Sequence, residues 1–349
     1  MTTDNNDTAS PKKISRKGFL RIAASTAAGG LILGGVAPLA YKMLKDPEDL
    51  FFDDMPSEGG DKGSVSPFRK SASFAVDGEI VCFEQLPPGR GYAICYKDAM
   101  ALLSSEGKLL RKVPLPFEVM DMAVYGDELF ILHPSSVSVV DFGGNILRSF
   151  TSCDDSADHC AITAMKEGVF ITDAAGKHIA KYGLEGTFVK FINSPSGFVV
   201  PSYSFAITHL GSTVYCSNPG RHTVESYTPD GEFITSFGKT GPEEGEFCGC
   251  CNPVYLTTTP SGELITSEKG ISRVSCYSRE GHFRSILLDG KALGTGSSAV
   301  KVRVGEKCII AATKRELSFY TLDPGFLSQS PSRCGRCKVE CPLKSPLTV

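Results

Sequence analysis

The sequence predicts an all-β protein built from a repeated unit. A β-rich run, a turn containing glycine and a second β-rich run recur along most of the chain. The turn glycines stand 37, 42, 45 and 50 residues apart, at Gly107, Gly144, Gly186, Gly231 and Gly281. Such turns between β-rich runs indicate tight hairpins, because glycine accepts a positive φ. A period of about 40–50 residues with several short strands per unit predicts a β-propeller.

The length of the repeated region predicts the number of blades. It runs from Ser71 to Pro324, and its last unit, Val300–Leu322, lacks the final copy of the turn. A period of about 42 residues then gives six blades. A separate blade at Pro67–Gln85 would make seven. We therefore expect a linker over 47–70, the propeller over 71–324 and a Cys-rich tail over 325–349.

Residues 1–46 have the pattern of an export signal. The basic run Ser15–Arg21 precedes twenty residues without a charge, 22–41. The run resembles a twin-arginine signal, Ser/Thr-Arg-Arg-x-Phe-Leu-Lys, with Lys17 in place of the second arginine. Seven basic and three acidic residues give this segment a net charge of +4, so −7 remains for the rest of a chain whose total is −3. This asymmetry predicts a body on the periplasmic or extracytoplasmic side, with residues 22–41 either removed or kept as a membrane anchor.

Composition narrows the function classes. Hydrophobic residues make up 41% and charged residues 21%, which excludes a disordered chain. The net charge of −3 argues against a nucleic-acid partner. The sequence has no G-x-S-x-G, H-E-x-x-H or P-loop motif, so we assign no catalytic residue and rank an enzyme below a binding or electron-transfer protein. His209 follows a strand-like run and could face the propeller channel, but one histidine does not define a site.

One stretch carries a family resemblance. Arg221, Tyr227, Gly231 and Phe233 follow the spacing R-x5-Y-x3-G-x-F, and a Phe-Gly pair and Gly245-Glu246-Phe247 come after them. This pattern resembles the NHL repeat, which implies an NHL-like propeller for the whole body. Some NHL-like propellers are metal-dependent lyases and others are binding scaffolds, so the resemblance implies the fold and leaves the function open.

The tail contains the most specific motif. Cys334, Cys337 and Cys341 stand in C-x2-C-x3-C-P, which resembles the last three cysteines of a bacterial ferredoxin run. Pro331 occupies the place of the first cysteine. A cluster with four thiolate ligands therefore needs one ligand from elsewhere.

The fourth thiolate could come from the loop entering the fifth blade. This loop contains Cys248, Cys250 and Cys251. The linker Asp323–Arg333 could extend over about 36–40 Å, enough to bring the tail back across the propeller. We expect one [4Fe-4S] cluster held by the three tail cysteines and by Cys250 or Cys251, with Cys248 a weaker candidate. Such a centre predicts electron transfer to a redox or membrane protein partner.

Two alternatives remain for these cysteines. In an oxidising compartment the tail and loop thiols could form disulfides, and a four-thiolate zinc site is also compatible. Either would make the protein a stapled scaffold for a protein or ligand. Two loop sequences, Asn218–Arg221 and Glu268–Gly270, stand at equivalent places in the fourth and fifth blades. We expect both to be blade turns, although Arg221 or Lys269 could face an anionic partner.

The remaining cysteines divide into two groups. The polar segment Cys153–Cys160 predicts a loop closed by a disulfide, or alternatively a small metal site using His159 and an aspartate. The other group lies in β-rich runs, where cysteine behaves as a small hydrophobic residue. We expect its members in the core: Cys82, Cys95, Cys216, Cys276 and Cys308.

Overall fold

The computed structural model describes residues 66–305 and 308–323. They belong to the larger of two units of the chain, Gly59–Val349. The predicted signal or anchor at 1–46 and the Cys-rich tail at 325–349 lie outside the described residues. The described chain forms six four-stranded antiparallel sheets, which confirms the predicted six-bladed β-propeller.

The first five blades each consist of four consecutive strands. The first and second blades are formed by β2 (Cys82–Gln85), β3 (Tyr92–Cys95), β4 (Ala99–Leu103), β5 (Leu109–Pro114), β6 (Asp121–Tyr125), β7 (Glu128–Leu132), β8 (Ser136–Asp141) and β9 (Ile146–Thr151). The third and fourth are formed by β10 (His159–Met165), β11 (Gly168–Asp173), β12 (His178–Tyr182), β13 (Phe188–Ile192), β14 (Ile207–Leu210), β15 (Thr213–Asn218), β16 (Thr223–Tyr227) and β17 (Phe233–Phe237). The fifth is formed by β18 (Tyr255–Thr258), β19 (Leu264–Glu268), β20 (Arg273–Tyr277) and β21 (Phe283–Asp289).

The sixth blade closes the ring with strands from both ends of the propeller. It contains β22 (Lys301–Val304), β23 (Cys308–Ala312), β24 (Glu316–Leu322) and β1 (Phe68–Ala75). Strand β1 pairs with β24, from Phe68 opposite Leu322 to Ala75 opposite Glu316. This pairing explains why the last sequence unit lacks its turn, and it shows that Pro67–Gln85 does not form a blade of its own. The propeller begins at Phe68, three residues before the predicted start.

The turn glycines that predicted the repeat join the third and fourth strands of the blades. Gly186 and Gly281 have φ values of +92° and +89°, a region that favours glycine. A Cβ atom at Gly186 would lie 2.5 Å from the Phe150 ring, and one at Gly281 would lie 2.2 Å from the Phe237 ring. Both rings belong to the fourth strand of the preceding blade. Glycine is therefore required for the turn and for the contact between blades.

The hydrophobic core lies between neighbouring blades. One cluster, for example, joins Phe130 and Val139 of the second blade to Ile171 and Tyr182 of the third. Burial of such side chains is worth roughly 1.5–3 kcal/mol each. Because each blade has its apolar faces covered by its neighbours, the closed ring is the stable unit.

The first strands of the blades contact one another around the centre of the ring. Two ion pairs bridge them there. Lys301 Nζ lies 2.6 Å from Asp121 Oδ1, and Arg303 Nε lies 2.8 Å from Glu84 Oε2. Burial alone would lower the pKa of Lys301, but the charge of Asp121 raises it above its usual value. These pairs tie the sixth blade to the first and second.

Helical structure is minor. A 3-10 turn covers Pro219–Arg221, and one short helix, α1, covers Gly290–Leu293. Asp289 caps α1 by accepting a hydrogen bond from Ala292 N at 2.8 Å. Within residues 66–305 and 308–323, no helix has the length and hydropathy needed to cross a bilayer.

Candidate functional site

The thiol loop, Phe247–Pro253, lies in the connection from β17 of the fourth blade to β18 of the fifth. Phe247 is fully buried, and its N–H donates to Lys239 O at 2.8 Å. Gly241 N–H donates to Phe247 O at 3.2 Å, and the Phe247 ring packs 6.0 Å from that of Tyr277. The loop therefore starts at a fixed point on the blade.

Asn252 fixes the other end of the thiol loop. Its Nδ2 donates to Lys269 O at 2.8 Å, and its Oδ1 accepts from Lys269 N at 2.9 Å. The same Nδ2 also donates to Cys248 O. Asn252 is completely buried, so these hydrogen bonds are shielded from solvent. Asn252 thus joins the thiol loop to the β19–β20 connection, where Lys269 lies.

His222 holds the middle of the thiol loop. Its Nε2 donates to Gly249 O, and its Nδ1 accepts from Thr240 Oγ1 at 3.0 Å. Gly249 has a φ of +83°, which lets the backbone turn between the cysteines. The loop is therefore held at its start, its middle and its end by groups of the fourth and fifth blades.

A buried ion pair supports the segment before the thiol loop. Arg273 Nε and Nη2 each lie 3.0 Å from an oxygen of Glu268. Arg273 Nη2 also donates to Glu243 O at 3.2 Å and to Glu246 O. Burial raises the pKa of Glu268, although the Arg273 hydrogen bonds oppose this effect. A bidentate arginine of this kind defines the position of the backbone it binds.

The structure brings two thiols into contact in this loop. Cys251 Sγ lies 3.2 Å from Cys250 Sγ. Cys250 is exposed, Cys251 is buried and Cys248 is half-buried. The predicted ligands Cys250 and Cys251 are therefore adjacent in space as well as in sequence, and one of them is open to solvent.

The surroundings of Cys251 act on its ionisation in both directions. Burial raises the pKa of the Cys251 thiol, and the neighbouring Cys250 thiol raises it further. A hydrogen bond with Ser202 and the positive charge of Lys269 lower it. Lys269 Nζ lies 3.5 Å from Ser202 Oγ, so the cation and the hydroxyl are close to each other beside the thiol. The thiolate is the nucleophile and the metal ligand, so these two groups favour the reactive form.

The three predicted ligands of the tail, Cys334, Cys337 and Cys341, lie outside the described residues. In the part of the chain that the structure describes, no group of three or more His, Cys, Asp or Glu side chains is placed to hold a metal ion. The thiol loop by itself therefore does not form a complete centre.

The predicted disulfide of the Cys153–Cys160 loop is wrong, because these two cysteines form no disulfide in the structure. Cys153 Sγ accepts a hydrogen bond from the Tyr182 hydroxyl at 3.5 Å, whereas Cys160 Sγ lies 3.7 Å from Asp158 O. The two side chains interact with different groups. His159 is buried with its Nδ1 3.1 Å from His133 O, and burial lowers the pKa of His159.

The five cysteines predicted in the core lie in strands. Cys308 is half-buried, and the other four are buried: Cys82, Cys95, Cys216 and Cys276. Cys82 and Cys95 are direct partners across β2 and β3. The pKa of Cys95 is raised well above its usual value, mainly by a hydrogen bond with Cys82 and secondly by burial.

His209 lies on the first strand of the fourth blade. Its Nδ1 accepts a hydrogen bond from Thr163 Oγ1 of the third blade at 2.8 Å, and burial lowers its pKa. This ring therefore links two inner strands. The loop sequences that contain Arg221 and Lys269 form the equivalent β15–β16 and β19–β20 turns of the fourth and fifth blades, as predicted. The Arg221 side chain donates hydrogen bonds to the Ser196 and Gly197 carbonyls.

Sequence reasoning missed several residues that build the site. Ser202, His222 and Arg273 come from three other connections or strands, and none stands in a motif with the cysteines. The sequence shows Asn252 next to Cys251, but it does not show that the Asn252 side chain bonds to the backbone of Lys269. The signal available for Asn252 was its place between Cys251 and Pro253, since a buried amide in a loop usually serves backbone groups.

The comparisons with known proteins agree with the fold. No family model matches the chain, and no curated protein matches it. The structure is similar to that of virginiamycin B lyase from Staphylococcus aureus, with a TM-score of 0.53 and 15% identity over 73% of this chain and 100% of that chain. It is also similar to the β-propeller domain of Myceliophteria thermophila Cps50 (Swd1), with a TM-score of 0.50 and 11% identity over 74% of this chain and 100% of that chain. At such identities the likeness shows the fold alone, so the chain is a six-bladed β-propeller protein with a thiol-rich loop.

Proposed function

We propose that this protein is an exported NHL-type propeller that holds one [4Fe-4S] cluster and transfers electrons outside the cytoplasm. The thiol loop carries the proposal, because it presents two sulfurs in contact on a loop that is fixed at three points. The proposed ligands are Cys250 of this loop and three thiols of the tail: Cys334, Cys337 and Cys341.

Cys250 suits the role of fourth ligand better than Cys251. Each iron of a cubane takes one protein thiolate, and two sulfurs 3.2 Å apart are too close to serve two irons of one cluster. Only one of the pair can then be a ligand. Cys250 is exposed and can meet an incoming tail, whereas burial disfavours the thiolate of Cys251.

The end of the described chain supports a return of the tail towards the fifth blade. Asp323 N–H donates to Pro67 O at 2.9 Å, and the neighbouring Ser66 hydroxyl donates to Leu287 O at 2.6 Å. Leu287 belongs to β21 of the fifth blade, the blade that the thiol loop enters. The linker Asp323–Arg333 can extend over about 36–40 Å, which gives the tail the length to return towards this blade.

The cluster would supply a one-electron couple, and no substrate bond would break. The part of this chain is to place one thiolate on a rigid loop, where Lys269 lies beside the neighbouring thiol, Cys251. A rigid loop keeps the ligand geometry the same in both oxidation states. A redox or membrane protein partner would then exchange electrons at the exposed Cys250 side.

The NHL-type assignment is supported by where the motif residues fall. Tyr227 ends the third strand of the fourth blade, and its ring meets that of Phe233 at 5.9 Å and 75°. The equivalent rings of the fifth blade, Tyr277 and Phe283, meet at 5.6 Å and 73°. The repeat spacing thus corresponds to one recurring edge-to-face contact between the third and fourth strands.

The test is iron and sulfide analysis of the full chain purified without oxygen, with absorption and EPR spectra. We expect about four irons and four sulfides per chain. C250S should lose most of both, while C248S, a matched change in the same loop, should keep them. A colourless protein that contains one zinc, or disulfides between the thiol loop and the tail, would contradict this proposal. The protein would then be a binding scaffold whose cysteines only staple the tail.

A further inference from the structure

We propose that Cys250 and Cys251 form a bidentate binding site for trivalent arsenicals, such as arsenous acid and organoarsenous acids. The site needs neither the tail nor a cluster, so it goes beyond the function proposed above. It rests on the distance between the two sulfurs, on their unequal exposure and on the cation beside them.

The sulfur separation selects the geometry of the bound atom. Two bonds of about 2.3 Å, the length of a zinc–thiolate bond, span a 3.2 Å sulfur–sulfur edge only with an angle of about 90° at the bound atom. A tetrahedral ion with bonds of the same length would need the sulfurs about 3.8 Å apart. Trivalent arsenic is pyramidal because of its lone pair, and its bond angles are close to a right angle. The pair therefore fits arsenic(III) better than tetrahedral zinc.

The unequal exposure gives the reaction an order. Cys250 is exposed and can attack arsenic first, and Cys251 then closes the ring from the buried side. Each thiol proton leaves with one arsenic-bound hydroxide as water. For an organoarsenous acid the sum is RAs(OH)2 plus two thiols giving RAs(S-Cys)2 plus two waters. Arsenic stays trivalent and no electrons are transferred.

The surroundings favour this pair over the other thiols. Lys269 and Ser202 lie beside Cys251, and Lys269 Nζ is 3.5 Å from Ser202 Oγ, so the pair has a cation and a hydroxyl group next to it. The three contacts that hold the thiol loop keep the sulfurs together before the ligand arrives. Cys153 is also exposed, but its sulfur contacts a tyrosine hydroxyl and not a second thiol, so it can offer arsenic only one As–S bond.

The experiment uses the full chain with the tail cysteines replaced, C334S/C337S/C341S, reduced with a phosphine and treated with phenylarsine oxide. We expect one phenylarsenic group per chain, mapped to Cys250 and Cys251 by peptide mass and removed by a small dithiol. C250S should weaken binding by about 100-fold or more, because the second bond then loses its intramolecular advantage. C251S should do the same.

The control is C153S, which removes another exposed thiol and should leave affinity and stoichiometry unchanged. Since Cys251 is buried and C251S could disturb folding, the exposed C250S variant decides the matter. No adduct on the loop, or an adduct that C250S leaves unaffected, would overturn the proposal. The assay contains no iron and no tail thiol, so its outcome is independent of the cluster test.

Discussion

The propeller contains two pairs of cysteines in close contact, and their environments are opposite. Cys82 and Cys95 face each other across neighbouring strands of the first blade, both with no exposed surface. Cys250 and Cys251 are neighbours in a loop, and one of them is open to solvent. Met122 lies 3.8 Å from the sulfur of Cys95, whereas Lys269 and Ser202 lie beside Cys251.

The comparison teaches that contact between thiols does not by itself make a reactive site. The strand pair is completely buried, so its thiols contribute packing. The loop pair has an exposed sulfur, Cys250, which is a condition that reactive cysteines require. The following experiments test this contrast, from the largest expected effect to the smallest.

Thiol alkylation should separate the two pairs most widely. We expect Cys250 to react with a maleimide faster than Cys82 or Cys95 by about three orders of magnitude or more, because the buried pair must wait for an opening of the blade. Mass mapping of labelled peptides at short times measures the ratio. Comparable rates in native buffer would mean that the first blade opens easily and that the contrast is wrong.

Serine substitutions should separate the pairs by stability. C95S places a hydroxyl group in an apolar site, and we expect a loss of about 1–3 kcal/mol in the free energy of unfolding. C250S changes an exposed side chain and should stay within about 0.5 kcal/mol of the parent. Urea denaturation measures both. Equal losses would contradict the assignment of one pair to the core and the other to the surface.

Asn252 should be the residue on which the loop pair depends most. N252A leaves buried backbone groups of Lys269 and Cys248 without partners, and we expect a loss of about 1–3 kcal/mol in the free energy of unfolding. Alkylation of Cys251 should also become faster as the loop loosens.

The control for Asn252 is N145A, which removes an exposed asparagine from a hairpin turn. It should cost less and leave Cys251 unchanged. If both variants behaved alike, Asn252 would not be what holds the thiol loop.

The ring and its repeat could be predicted from the sequence because glycine spacing is a local signal. Gly107 and Gly281 predict turns whose geometry requires glycine, and the missing last turn pointed to an incomplete unit. The strand that completes that unit, Phe68–Ala75, comes from the other end of the propeller and has no sequence link to β24.

The site was only partly predictable, because only those of its residues that are neighbours in sequence leave a local signal. Cys250 and Cys251 are adjacent in sequence, so a thiol pair was evident. Lys269 and Ser202 reach the thiol loop, and Arg273 reaches the segment before it, through the packing of separate connections that no sequence spacing records. The prediction of a Cys153–Cys160 disulfide was wrong because a short separation in sequence did not bring those two side chains together.

Removing the cation beside the loop pair should have the smallest effect. Lys269 lowers the pKa of Cys251, so K269M should raise this pKa and shift the pH dependence of Cys251 alkylation to higher pH. The rate is measured against pH in a C250S background, where Cys251 is the thiol followed. K239M removes an exposed lysine paired with Glu246 and should leave the profile in place. A shift towards lower pH in K269M would contradict the assigned sign.

The central claim is that the tail thiols come to the thiol loop, and cross-linking of the full chain without its cluster tests it most directly. A short bis-maleimide should join Cys250 to Cys334, Cys337 or Cys341, and the joined peptides should be found by mass spectrometry. The account predicts that these products dominate and disappear in C250S. Tail thiols that couple only to Cys153, or only between separate chains, would contradict it.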